Sequence, residues 1–342
     1  MTIPLYGITV PDVKKELAGF GIPDWRIKQV LDGLYRSRAF DFKNITTLPK
    51  DIKAILIQRS SFFTLGEEKR SVSSSEDTVK FVLKLADGLA IECVSLPNTK
   101  DEYTFCISTQ AGCRLACAFC ASGLGGCDRD LEAHEIVEQA MWMEKSGFHA
   151  TNIVFIGMGE PLLNWDNVAA AIGIINDAEG MNIGSRNITV STAGIVEGIK
   201  KISELGLQVR LSVSLHFPWN DVRSRWMPVN RSNPLPELLA SLKEYQEKTG
   251  RQITFEYILF DGLNDHYQAA DDLRKLCDGL RYKVNLIPYN KVEGLEFKPP
   301  KPGKAEKFRD YLVKKGVNAI IRRKRGSDID AACGQLRRSI KT

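Results

Sequence analysis

Cys113, Cys117 and Cys120 stand as C-x3-C-x2-C on a glycine-punctuated loop, and with Cys106 and Cys127 they gather five of the chain's eight cysteines between positions 106 and 127. Cysteine thiolate is the ordinary ligand of iron in iron-sulfur clusters, and a four-iron cluster normally takes four of them. A set of three leaves one iron open to a small chelating ligand that carries an amino and a carboxylate group. Zinc is the competing reading. It usually takes four ligands from pairs of cysteines or histidines a dozen or more residues apart, and no second pair follows here, although Cys106 and Cys127 remain available as a fourth ligand. A disulfide framework fits a short secreted chain, whereas this one is long and has no charged-then-apolar amino-terminal signal. Cys93 and Cys277 read as buried apolar residues.

Further polar or glycine-rich clusters recur where apolar runs end. Gly157-Met158-Gly159-Glu160-Pro161 follows Ile153 to Ile156; its glycines let backbone approach a ligand, and Glu160 suits an ammonium or a ribose hydroxyl. Ser191-Thr192, Ser214-Leu215-His216 and Asn290 end three other runs. Each alone reads as a turn or a structural residue. Together they fit one pocket, provided that the fold brings the ends of those runs to one rim.

The elements that would do so are legible in the pattern. After Cys120, helices at about 132–146, 166–178, 195–204, 235–248, 266–279 and 303–315 each precede an apolar run, the last ending near Ile321, which predicts a parallel sheet covered by helices. An incomplete βα barrel with the cysteine loop after its first strand is the architecture expected, with ligands at the carboxyl ends of the strands. Residues 61–108 predict short strands at Phe62 to Leu65, Thr78 to Leu85, Leu89 to Leu96 and Tyr103 to Ser108, with a turn at Asp87-Gly88. Residues 1–60 predict three helices: one capped by Asp12, one opened by Pro23-Asp24 and one by Leu48-Pro49. Arg26, Lys28, Arg36 and Arg38 scatter through this unit and are compatible with RNA contact.

The chain has 342 residues, 43% hydrophobic and 26% charged, which allows a large domain with a smaller one beside it. No apolar run approaches the roughly 18–20 residues of a membrane span, so a cytoplasmic protein is expected. The net charge of +5 is unevenly spread: residues 298–342 hold fourteen Lys or Arg against four carboxylates, so the rest of the chain is net acidic. Arg322, Arg323, Lys324 and Arg325, followed by Arg337 and Arg338, form the densest cluster. It reads either as a solvated face or as a contact for a phosphate backbone.

Over nearly its whole length the chain resembles the RlmN/Cfr family of radical S-adenosylmethionine RNA methyltransferases, and more closely the RlmN branch. The resemblance lies in Glu92 within I-E-C-V, C-I-S-T-Q-A-G-C-R-L-A-C-A-F-C-A-S-G, G-M-G-E-P-L-L-N, S-L-H, N-L-I-P-Y-N, and D-I-D-A-A-C-G-Q-L with Cys333. It implies an α/β fold, a radical SAM incomplete (β/α)6 barrel with a small helical N-terminal accessory domain. The implied divisions are a helical unit at 1–60, a β extension at 61–101, the core at 102–322 and a basic tail at 323–342. By matched positions, Cys113, Cys117 and Cys120 would bind a 4Fe-4S cluster. Gly159, Glu160, Ser191, Ser214, Leu215, His216 and Asn290 would line the S-adenosylmethionine site, Cys333 would carry the methyl group, Cys106 would resolve it, and Glu92 would accept a proton.

The reaction implied is methylation of adenine carbon 2 in 23S ribosomal RNA and in transfer RNA next to the anticodon. It consumes two S-adenosylmethionine molecules: one methylates Cys333, and the other yields a 5′-deoxyadenosyl radical that converts the methyl group into a methylene radical able to add to the base. Attack by Cys106 on the Cys333 sulfur would free the product and leave a disulfide for reductants to reopen. The partners implied are RNA and an external electron donor, for a monomeric enzyme. Pro161 resembles the carbon-2 branch, because the carbon-8 branch typically has Ala there. Departures from the family pattern are Cys127 in place of an aromatic residue, Ser122 within Ala-Ser-Gly, and Phe217 and Trp219 after S-L-H, whose bulk bears on the neighbouring substrate loop. The alternatives are carbon-8 methylation, another radical enzyme with no need of a Cys106–Cys333 pair, and a non-catalytic metal-stabilised RNA-binding protein.

Overall fold

A computed structural model describes residues 2–99, 101–322 and 325–336. Its amino-terminal unit runs from β1 (Ile3–Pro4) through α1 (Val10–Gly19), α2 (Asp24–Leu31) and α3 (Lys50–Arg59) to β2 (Ser60–Ser61), which pairs with β1 in parallel. Thr9, not Asp12, caps α1: its hydroxyl oxygen accepts the Asp12 N–H, and Asp12 lies in the first turn, where a negative charge suits the helix dipole. The predicted strand at Phe62 to Leu65 is absent. Phe62 and Leu65 are buried in the core, and the Thr64 and Leu65 N–H groups donate to the buried Glu138 carboxylate at 2.6 and 2.9 Å instead of joining a ladder.

The strand that does form, β3 (Gly66–Val72), is largely exposed and charged, as an edge strand must be to discourage pairing with other chains. It is followed by β4 (Val79–Lys84), β5 (Ala90–Thr99) and β6 (Glu102–Ile107), all antiparallel, with Gly88 at φ +87° in the β4–β5 turn. The short β7 (Gln110–Gly112) and β8 (Cys127–Asp130) pair with each other and bracket the cysteine loop and its single helical turn α4 (Ala121–Leu124).

From β6 onward the repeats are regular: α5 (Ala133–Lys145), β9 (Ala150–Phe155), α6 (Trp165–Asn176), β10 (Ile188–Thr192), α7 (Val196–Glu204), β11 (Arg210–Ser214), α8 (Asn220–Trp226), α9 (Leu235–Thr249), β12 (Ile253–Leu259), α10 (Tyr267–Leu276), β13 (Tyr282–Pro288), α11 (Lys304–Lys314) and β14 (Ala319–Ile321). The strands lie in the order 14-13-12-11-10-9-6-5-4-3, parallel from β6 to β14 and antiparallel beyond. Six β/α repeats thus close on a short seventh parallel strand, and β14 and β3 do not meet. This is the incomplete barrel expected from the alternation. The core passes without a break from Tyr6, Leu34 and Leu56 of the helical unit into Phe155 and Leu211 of the barrel. Arg38 spends its charge on that junction, 3.0 Å from the Glu144 carboxylate of α5. Among the described residues no helix is long and apolar enough to cross a membrane.

Glu138 holds three donors of the 64–65 segment on α5, counting the Thr64 hydroxyl. Glu138→Leu strands two buried N–H groups at about 1–3 kcal/mol each. Chemical denaturation should show a loss of about 2–4 kcal/mol, with Glu138→Gln losing less.

Candidate active site

The carboxyl ends of the parallel strands form one rim, and short-range bonds fix its loops. After β6, the Ser108 N–H and C=O both bond the Gln139 side chain of α5, and the Ser108 hydroxyl donates to the Glu92 carbonyl while accepting the Met158 N–H. The loop after β9 lies against the chain at 107–110: a Cβ at Gly159 would come 2.6 Å from Gln110 Cβ, and its φ of +102° also requires glycine. That approach lets the Gln110 side chain accept the Glu160 N–H at 2.9 Å. Glu160 is buried, and its carboxylate accepts from Ala193 N at 2.7 Å and Leu162 N at 3.1 Å. Burial pushes it up to about 7, against the pull of the Ala193 N–H and the Thr192 hydroxyl.

The cysteine loop folds tightly on itself. The Cys113 N–H donates to Gly126, Cys120 N–H to Cys117, and a Cβ at Gly123 would press on the Ala116 and Cys117 backbone at 3.1 Å. Ala116 adopts φ +50° between the first two cysteines, a conformation that costs about 1–3 kcal/mol in a residue other than glycine and persists at functional sites where the surroundings impose it. Burial raises all three thiols, Cys113 to about 12. Among the described residues, no group of His, Cys, Asp or Glu is arranged to hold a single metal ion. Three thiols on one tight loop are the donor set of a cluster with one open corner. Cys127 lies on β8 opposite Gly112, close enough to bear on Cys113, with its Sγ 3.7 Å from the Arg129 carbonyl.

His216 also has a strained backbone, at φ +58°. Its Nδ1 accepts the Ile258 N–H, and burial, with Arg223 nearby, lowers it to about 3, so the ring is neutral. Asn290 donates to the Cys333 carbonyl at 3.2 Å, while its own Oδ1 is buried without a hydrogen-bond partner among the described residues. An orphaned acceptor on the rim is what a ligand with an amino or hydroxyl donor would satisfy. Ser191, at the end of β10, and Leu215, after Ser214, are on the same rim, both of them buried.

One cavity of about 110 Å³ joins the groups that the resemblance had paired across more than two hundred positions. Cys106, Cys120, Gly157, Asn290, Arg322 and Cys333 line it. Its roof is the segment 325–336, held by Ala121 N to the Gly334 carbonyl (2.9 Å), Ser122 Oγ to the Leu336 carbonyl (2.5 Å) and Gln335 Nε2 to the Lys291 carbonyl (3.0 Å). On the other side Asp328 accepts from Ser73 and Ser74, and Glu76 accepts the Gly326 N–H. Ser122, a departure from the family pattern, therefore anchors the Cys333 segment. Of the other departures, Phe217 is buried and stacked on Phe260 at 5.7 Å, and Trp219 donates to Asp272 of α10.

The comparisons agree with this geometry. The Radical SAM superfamily matches residues 107–273. Probable dual-specificity RNA methyltransferases RlmN from Geobacillus kaustophilus and Bacillus subtilis are 41% and 40% identical, each over 97% of this chain and 92% of the relative. A crystal structure of a radical SAM methyltransferase from Sphaerobacter thermophilus superposes with a TM-score of 0.93 at 39% identity, covering 98% of this chain and 99% of that one. The chain belongs to the RlmN family of radical SAM RNA methyltransferases. Its cofactors are accordingly a 4Fe-4S cluster and S-adenosylmethionine, and the three-thiol loop fits the first of these.

Two charged residues, Lys80 and Arg223, escaped the sequence reading, and a third, Arg322, was read only as part of a basic run. Arg322 belongs to the cavity and lies 3.7 Å from Glu256, rather than in an outward cationic run; Arg325 lies 4.0 Å from Glu76; and Arg323, Lys324, Arg337 and Arg338 fall outside the described residues. Lys80, a buried strand lysine, lies 3.3 Å from Glu92. Arg223 is fully buried and donates to the carbonyls of Ala193 (2.6 Å), Ser214 (3.1 Å) and Leu215 (3.2 Å), joining the ends of β10 and β11. Only the S-L-H motif eight residues upstream pointed towards it. Arg223→Met leaves these carbonyls unsatisfied and should cost about 3 kcal/mol or more by chemical denaturation. Arg223→Lys should recover only part, since an ammonium cannot span three acceptors in one plane.

Proposed function

We propose that this enzyme methylates carbon 2 of adenine in 23S ribosomal RNA and in transfer RNA next to the anticodon, through a methylated Cys333 and a transient Cys106–Cys333 disulfide. The observation that carries this reading is the single cavity shared by Cys106, Cys333, the cluster-loop residue Cys120 and Asn290. Methyl transfer by simple displacement has no use for two thiols facing the same space. Pro161, and relatives that share the RlmN name, favour carbon 2 over carbon 8.

Bound at Cys113, Cys117 and Cys120, the cluster would supply the electron that cleaves S-adenosylmethionine and would take back the unpaired electron left on the base adduct once carbon 2 has lost its proton. Gly159, Glu160, Ser191, Ser214, Leu215, His216 and Asn290 would hold that ligand at the rim, with Glu160 and the free Oδ1 of Asn290 as its polar anchors. Cys333 gives its sulfur to the methyl group and later to the bond with adenine. Glu92 takes the proton from carbon 2. Cys106 then bonds to the Cys333 sulfur; the sulfur–methylene bond breaks with its electron pair going to carbon, where a proton completes the methyl group. An external donor of two electrons reopens the disulfide. Burial pushes the Cys106 thiol up to about 12, opposed by Arg322, so Arg322 supplies the charge that favours its thiolate. We assign residues 1–60 to RNA contact, 61–101 to a β extension, 102–322 to the core and 323–342 to the methyl-carrying tail, in a monomeric cytoplasmic enzyme.

Anaerobically reconstituted Cys333→Ala should bind iron and cleave S-adenosylmethionine but form neither product nor RNA crosslink. Cys106→Ala should accumulate a covalent protein–RNA species, seen as a nuclease-sensitive mass shift under denaturing conditions. Its absence, with the cluster loaded, overturns the division of roles; mass spectrometry of the product RNA assigns the ring position.

Glu160 sets a pH dependence. With its value raised to about 7 in the ligand-free protein, the carboxylate is protonated below that pH and has to lose the proton before it can accept from an ammonium or hydroxyl. Affinity for S-adenosylhomocysteine, measured by calorimetry, should fall as pH drops below about 7, approaching tenfold per unit. Glu160→Gln should bind weakly at every pH.

A further inference from the structure

Lys80 stands in a place that neither the cluster chemistry nor the fold accounts for. The register of β4 and β5 pairs Lys80 with Val94, and that of β5 and β6 pairs Val94 with Cys106, so the three form one row across the sheet. Glu92 lies two residues before Val94 and shares its face. The segment 325–336 covers this face, with Ala331 and Leu336 packed among Val94, Cys106 and Met158.

Within that cover Lys80 is 8% exposed, and its Nζ reaches two groups of different origin: Glu92 Oε1 at 3.3 Å and the carbonyl of Asp330 at 3.2 Å. Asp330 is three residues from Cys333 and adopts φ +52°, which turns its chain towards the lysine. The ammonium thus joins the side chain that takes the proton to the backbone that carries the methyl-bearing sulfur. Stability does not require this. A buried ion pair gains little or nothing over apolar groups of similar volume, because desolvation offsets the attraction.

We propose that Lys80 is a positioning residue for proton removal from the adenine adduct: bridging the Glu92 carboxylate and the Asp330 carbonyl, it holds that carboxylate beside the segment through which Cys333 presents the adduct. In that step the carbon–hydrogen bond at carbon 2 breaks, its electron pair stays with the base, and the proton passes to a Glu92 oxygen. Lys80 forms no bond to RNA. The proposal rests on the reading of Glu92 as the proton acceptor, and the test separates the two.

The experiment uses the full-length, cluster-loaded protein with a 23S ribosomal RNA fragment, and follows methylation of Cys333 by protein mass and the rise and decay of the nuclease-sensitive protein–RNA adduct. Lys80→Met should methylate Cys333 at the wild-type level while its adduct decays about tenfold or more slowly, and Lys80→Arg should restore decay to within about threefold. Glu92→Gln should stall by about a hundredfold, and the double variant should be no slower than Glu92→Gln alone, because a residue acting through another adds nothing once that one is gone. Decay at the wild-type rate in Lys80→Met overturns the proposal, as does loss of Cys333 methylation, which would place the lysine's effect in the tail. A multiplicative slowing in the double variant overturns it too. If Glu92→Gln fails to stall, the acceptor role itself falls; if Glu92→Gln stalls and Lys80→Met does not, only the role of Lys80 falls.

Discussion

The pairing of Val94 with Cys106 across β5 and β6 fixes the face of the sheet on which Cys106 and Glu92 stand. Strand side chains alternate, so a slip of one residue would send Cys106 to the helix-covered side and Glu92 out of reach of the tail. β6 is also the first parallel strand of the barrel, and the cysteine loop starts a few residues after it. One strand therefore sets both the resolving thiol and the origin of the cluster loop. The rim depends on the same register: Ser108, just past β6, holds the loop after β9 through the Met158 N–H.

Around this register the protein places charge where water is scarce. Arg223, Glu160, and the Lys80–Glu92 and Arg322–Glu256 pairs all lie at or near the rim, and Glu256 also accepts from Ser212 and Asn285 on the neighbouring strands. Such groups are costly to bury, and a buried ion pair gains little over apolar residues of similar volume. Their value is directional, since a desolvated charge held by several bonds cannot relax away from a reacting atom. The neutral His216 belongs to the same arrangement, as its ring nitrogen serves a backbone N–H instead of carrying charge.

Most of the fold was legible because the βα alternation is a local signal repeated six times, and the observed helix ends fall within a few residues of those expected. The failures have local causes. Phe62 to Leu65 looked like a strand by composition, but its N–H groups found Glu138, 73 and 74 positions away. The charged sequence of β3 hid a real strand, because an edge exposed to solvent carries no hydrophobic alternation. Thr9 and Asp12 are both capping residue types, and only geometry decides between them. The site divides in the same way. Its contiguous motifs could be read directly, whereas Lys80, Arg223 and Arg322 act through partners on other strands or in the tail, and no spacing along the chain records that. Cys333 owed its assignment to family resemblance; its own neighbourhood would have passed as an ordinary tail.

The roof over the cavity is held by contacts between residues about 250 positions apart: Glu76 with Gly326, Ser74 with Asp328, Lys80 with Asp330. Closing so long a loop carries a large entropic cost, so these contacts join the fold late, after the strands they dock on have paired. The strands of the β extension precede the segment they dock by about 250 positions, so their docking face is made long before its cover. A chain cut short before that segment would keep the cysteine loop and most of the rim, yet have no sulfur to receive a methyl group and no cover over the cavity. The order of synthesis thus ensures that the acceptor thiol is the last component to be installed.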